Sequence, residues 1–181
     1  AAEGSPPQNS FFDDAAWVES KGNETTSLEV ASKPLRVAMG SFVANDNSYR
    51  SAVAAGNFTS MIQAKMSSEP GIEWVERSEI QKVEDEFALT AFGLTNEALK
   101  IRLGRWLKAR LLVLGRFSND SKKGNMLSIE IVDLDRADIL ARRRMTLTEA
   151  SVRPLQWKPA DIEEAAKLLH GALMEARVRL E

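Results

Sequence analysis

Between Gly71 and Phe117 the chain reads GIEWVERSEIQKVEDEFALTAFGLTNEALKIRLGRWLKARLLVLGRF, and the order of patterns in this stretch restricts the fold more than any other feature. A short apolar strand, Ile72 to Val75, runs into Glu76-Arg77-Ser78. Ser78 is placed to cap a charged helix over about Glu79 to Leu89, and Gly93 breaks the pattern. Thr95 then caps a second helix with an apolar stripe of Leu99, Leu103, Trp106 and Leu107. The continuous apolar run from Leu111 to Phe117 reads as a central strand.

The flanking segments extend this alternation. Leu35 to Phe42 forms a strand bounded by Pro34 and by Asn45-Asp46-Asn47-Ser48. A helix follows, with Ala55, Phe58, Ile62 and Met66 on one stripe and Glu69-Pro70-Gly71 as its stop. After Phe117 a polar loop from Asn119 to Asn125 leads to Leu127, Ile129 and Ile131, whose alternation implies a half-exposed sheet face. Asp135 to Asp138 turns the chain into a last strand, Ile139 to Leu147. Ile162, Ala165, Ala166, Leu169, Leu173, Ala176 and Leu180 mark the cleanest amphipathic helix, which must cover the sheet. The expected architecture is α/β, a mixed sheet of four to five strands packed by three to four helices.

With 181 residues, 44% of them hydrophobic, the chain can bury one core without a second. The expected division is residues 1–32 as a leader and aromatic arm, and 33–181 as a single α/β domain. The opening AAEGSPPQNS is small, polar and proline-containing, as left behind when a signal peptide is removed, although an artificial boundary reads the same way. Phe11, Phe12 and Trp17 follow it, and such aromatics either pack on the body or dock on a partner. No apolar run approaches the roughly 20 residues of a membrane-spanning helix.

Absence of cysteine excludes disulfides and thiolate sites, and a single histidine excludes the common multi-histidine metal sites. After Phe42, where a phosphate loop would sit, there is neither a glycine-rich run nor a Lys-Ser/Thr pair. Glu84, Asp85 and Glu86, and Asp133, Asp135 and Asp138, are candidate acid clusters, but helix geometry and turn chemistry make solvated surface the expected state of both. His170, without a second ligand, reads as surface or packing. Arg77 precedes a helix N-terminus, where a cation needs a carboxylate to hold it, so a structural ion pair with Glu84 or Glu86 is expected. The net charge of −2 gives no global attraction to nucleic acid. Local basic groups on helix 100–110 (Lys100, Arg102, Arg105, Lys108, Arg110), at Arg142-Arg143-Arg144 and at Lys122-Lys123 keep a nucleic-acid-binding alternative open, though without stacking aromatics on those strands.

Several of these segments together resemble the CsgG family, named for the outer-membrane curli secretion component, with relatives among periplasmic accessory lipoproteins and the TolB amino-terminal domain. The matching residues are Leu35 to Phe42, Val75-Glu76-Arg77, Glu84-Asp85-Glu86, Phe92-Gly93-Leu94-Thr95, Leu103 to Arg110, Val113-Leu114-Gly115 and Ile129 to Leu134, spanning about Lys33 to Thr148. The resemblance implies a CsgG-like, anticodon-binding-like domain of an exported bacterial protein, periplasmic and associated with the outer membrane. It implies a non-enzymatic role in binding an envelope protein or itself, as part of or accessory to a secretion or assembly machine, with no cofactor and no small-molecule substrate. The chain departs from the family in lacking a lipid-acceptor cysteine. It also has no spare strands for a channel's membrane hairpins, which disfavours a pore. With the helix stripes turned to the sheet, partner contact is expected at Phe11, Phe12 and Trp17, at Asn45, Asn47 and Tyr49, and at Lys122 and Lys123.

Overall fold

A computed structural model of the chain describes residues 33–44, 49–87, 97–148 and 157–181. The chain divides into Ala1–Ser32 and Lys33–Glu181, and all of the described residues belong to the second unit. In chain order its elements are β1 (Leu35–Met39), β2 (Val43–Ala44), α1 (Tyr49–Met66), β3 (Ile72–Trp74), α2 (Arg77–Phe87), α3 (Glu97–Leu107), β4 (Leu111–Asp120), β5 (Gly124–Asp133), β6 (Asp138–Thr146) and α4 (Pro159–Leu180). Five strands lie in the order β3-β1-β4-β5-β6, and the two-residue β2 pairs with β4 as the sixth. The result is the expected mixed α/β sheet: β1 runs parallel to β3 and β4, whereas β4, β5 and β6 form an antiparallel meander.

Both β1 and β2 lie against β4, and the join between them is bulged. Five residues from Met39 to Val43 span four from Val113 to Arg116. The irregular backbone turns Phe42 onto Gly115, where an added Cβ would lie 2.5 Å from the ring. The Phe42 N–H is satisfied by Thr59 Oγ1 at 2.9 Å. Glycine at position 115 therefore answers a close approach within the strand.

Strand alternation divides the core into two layers. On one face Val37, Met39, Leu111, Val113, Leu127, Ile129 and Ile131 pack against Phe58, Ile62 and Met66 of α1 and Leu169 and Leu173 of α4. Each such leucine or isoleucine stabilises the fold by about 1.5–3 kcal/mol through area removed from water. On the other face Ala38, Leu112, Val132 and Leu134 lie under Ile80 and Val83 of α2 and Leu103 and Leu107 of α3. Past these residues the second face carries exposed side chains among the described residues. Cross-strand rows there read Arg116–Ser128–Arg144 and Leu114–Glu130–Arg142, with the three arginines exposed.

The tertiary structure departs from sequence expectation at several points. The polar loop expected from Asn119 to Asn125 contracts to a tight turn, because β4 and β5 pair as far as Asp120 and Gly124. Gly124 takes the positive φ of 76° that this turn requires. Trp106, expected to face the sheet, is 53% exposed. Gly104 explains this: its absent side chain lets α3 settle on Leu134, where a Cβ would lie 2.6 Å away. The helix is thereby rotated so that Leu103, Gly104 and Leu107 face inward and Trp106 falls on the rim. The helix also ends without a glycine, at Lys108 in left-handed conformation (φ 50°).

An aromatic cluster closes the first layer near the start of α4. Phe58, Phe117 and Trp157 have ring centroids 4.8–5.1 Å apart, in edge-to-face and stacked arrangements. Trp157 donates its Nε1–H to the Ala54 carbonyl at 2.8 Å, so its polar atom is satisfied. Sequence patterning does not single out Trp157, because it precedes the helix and belongs to no periodic stripe.

Candidate functional site

In an open α/β sheet ligands bind outside the carboxyl ends of the strands, where neighbouring strands send their connections to opposite faces. Here that position lies between β1 and β3. The chain leaves β1 for α1 on one face, and leaves β3 for α2 on the other. Ser41 and Arg77 stand at the two exits, and Glu84 reaches them from α2.

These three side chains fill the crevice by bonding to one another. The Ser41 backbone N–H donates to Glu84 Oε1 and its hydroxyl to Glu84 Oε2, each at 2.8 Å. Arg77 donates to the Met39 carbonyl at 3.2 Å and to Ser41 Oγ in a short hydrogen bond, and its Nη2 lies 3.7 Å from Glu84 Oε2. Arg77 and Glu84 are mostly shielded from solvent, with side-chain exposures of 29% and 22%. Glu84 is thus not the solvated carboxylate expected of its cluster. Its two oxygens accept bonds from a neighbouring strand exit, a tertiary contact invisible to helix periodicity. The Glu86 side chain lies outside the described residues.

A second acid expected at the surface is buried. Asp133 is fully enclosed at the end of β5, with Oδ2 3.0 Å from Arg110 Nη2 and Oδ1 accepting the Asp135 N–H at 2.9 Å. Arg110 also pairs with Asp135 at 2.5 Å. The physical reason is positional. Arg110 immediately precedes central strand β4, and its backbone is held by Arg36 and Leu134 at 2.9 Å on either side, so its guanidinium must lie over the strand ends. Asp161 is likewise buried, accepting the Thr148 hydroxyl at 2.8 Å and thereby tying the end of β6 to the start of α4. Sequence reasoning missed it.

Three arginines of the basic clusters are engaged with acids. Arg110 serves Asp133 and Asp135, Arg142 pairs with Glu130 at 2.9 Å, and Arg143 pairs with Glu175 at 2.5 Å. Glu175 also receives Arg179 at 2.8 Å, and the Arg143 hydrogen bond foremost holds its carboxyl below the ordinary glutamate range. His170 is exposed and lies 2.9 Å from Glu69. Lys122 and Lys123 occupy the exposed tip of the β4–β5 turn.

Among the described residues, grooves open to solvent lie on two sides of the sheet. One, of about 840 Å³, is lined by Arg36, Glu79, Lys82, Asp85, Trp106 and Lys108. Its Arg36 is already held by Glu73, Glu79 and the Leu107 carbonyl. The other, of about 410 Å³, lies between β6 and α4. Among the described residues no group of three or more histidines and carboxylates is placed to hold a metal ion, and no helix is long and apolar enough to cross a membrane.

Of the residues expected to meet a partner, Phe11, Phe12, Trp17, Asn45 and Asn47 lie outside the described residues, as does the Tyr49 side chain. Lys122 and Lys123 are described and stand apart from the Arg77–Glu84 pair, at the far end of β4.

No protein-family model matches the sequence, and no curated protein matches it. Solved structures resemble the fold distantly. The LpoB C-terminal domain from Escherichia coli superposes with a TM-score of 0.48 at 12% identity, over 64% of this chain and 83% of that one. Lipoprotein GNA1162 from Neisseria meningitidis gives 0.49 at 8% identity, over 78% and 97%. TolB from Acinetobacter baumannii gives 0.48 at 12% identity, over 79% of this chain and 28% of that one.

Proposed function

We propose that this chain is a non-enzymatic protein-binding domain of the bacterial cell envelope, accessory to or part of a secretion or assembly machine. The observation that carries the reading is the filled crevice at the exits of β1 and β3. The polar groups that would line a ligand site there, Ser41, Arg77 and Glu84, satisfy one another. A ligand entering the crevice would have to break at least two charge-assisted hydrogen bonds, each contributing about 1.5–3 kcal/mol. Exposed side chains on the second face of the sheet, Arg116, Arg142 and Arg144 among them, offer surface to another macromolecule. The envelope assignment rests on the sequence resemblance carried by Val75 to Arg77 and Leu103 to Gly115.

The test pairs capture with turnover. The 181-residue chain, immobilised and exposed to envelope extract, should retain a specific partner. The same preparation should give no signal in a broad hydrolase and nucleotide-binding screen. Robust turnover that disappears in Glu84→Gln would overturn the reading in favour of an enzyme.

A further inference from the structure

We propose that the outer edge of β6, with the groove between β6 and α4, takes up an extended acidic segment of a partner protein as an additional strand of the sheet. The proposal rests on the protein-binding reading above and identifies its surface. β6 spans nine residues and ends the strand order, and among the described residues no strand pairs with its outer side. In an antiparallel pair alternate backbone groups point away from the partner strand, so those of β6 not used by β5 form a template for a further strand.

The groove along this edge is built for a chain in extended form. Ile139, Leu140 and Ala141 supply an apolar base, and Arg142 and Arg143 line it from the strand with Glu175 and Arg179 from the helix. Arg143 and Arg179 share the carboxylate of Glu175, and Arg142 pairs with Glu130 on the neighbouring strand, so three arginines outnumber the two carboxylates that hold them and the edge keeps net positive charge. Alternation places Arg142 on the second face and Arg143 on the helix side, and an added strand would meet a guanidinium on either face. Charge complementarity selects an acidic strand. A second copy of this chain fits poorly, because antiparallel pairing of two β6 edges would bring arginine-rich centres opposite each other. Nucleic acid is also a poor fit, since among the described residues no aromatic ring lines the groove to stack a base.

The probe is a synthetic fluorescent peptide of about ten residues, matched to the nine of β6 and alternating glutamate with valine. Its lysine–valine counterpart and two versions N-methylated on one or the other alternate set of peptide nitrogens serve as comparisons. Titrated with the full chain, the acidic peptide should bind and slow amide exchange selectively in β6. Methylation of one set should abolish binding and methylation of the other should not, because only one set faces β6. Arg142→Ser/Arg179→Ser should weaken binding by about tenfold or more through loss of charge-assisted contacts. Unchanged binding of both methylated peptides, exchange protection away from β6, or equal binding of the lysine peptide or an oligonucleotide would overturn the proposal. If the acidic peptide fails to bind while the chain still captures an envelope protein, this inference falls and the protein-binding reading stands.

Discussion

Arg110 shows how one residue can be worth more to the fold than its place in a basic run implies. Read along the sequence it is the last of five cations from Lys100 to Arg110, but in space it neutralises Asp133, which no water reaches, and clamps the turn after β5. Arg110→Leu should destabilise the domain by about 3 kcal/mol, the lower end for stranding a buried charge because the arginine itself is partly solvated. Urea denaturation followed by circular dichroism measures this, and adding Asp133→Asn should recover most of the loss. If Arg110→Leu changes stability by less than its exposed neighbour Arg105→Leu, the buried pair contributes nothing.

At the level of elements, the joint between α4 and β6 is made of apolar packing beneath and an arginine–glutamate–arginine bridge at its edge. The sign of its pH response follows from the lowered folded-state value of Glu175. A depressed carboxyl contributes stability that is present above the unfolded value, near 4.5, and is lost as pH falls through the folded value. Wild type should therefore melt higher than Glu175→Gln at neutral pH, and the difference should shrink as pH drops below 4.5. Thermal melts of both proteins across that range check it. A difference that persists undiminished in acid would assign the bridge a packing role only.

For the whole molecule, the chain divides into Ala1–Ser32 and Lys33–Glu181, and the second unit holds two apolar layers among its described residues. Deleting Ala1 to Thr26 should then leave a folded domain with a melting temperature within about 4 °C of the full chain, the shift expected of roughly 1 kcal/mol at this size. The same deletion should weaken capture of an envelope partner if Phe11, Phe12 and Trp17, which it removes, are the anchors the sequence leads one to expect. Calorimetry and pull-down measure the two effects separately. Loss of the cooperative transition would make the arm part of the core.

The sequence by itself determined the elements and their layering. Periods of 3.6 and 2 residues identify which side of each helix and strand is apolar, so the stripes Ala55–Phe58–Ile62–Met66 and Ile162–Ala165–Leu169–Leu173 and the alternation at Leu127, Ile129 and Ile131 were legible, and all of these residues are buried. The tertiary structure decided which charges are buried and which aromatic faces water. Each of these depends on residues distant in sequence: Asp133 on Arg110, Glu84 on Ser41, and Trp106 on the approach of Gly104 to Leu134. A local pattern records the free energy of hiding apolar surface, which every residue carries with it. The partner of a charge and the neighbour of a glycine are set by strand order, and no local pattern encodes that order.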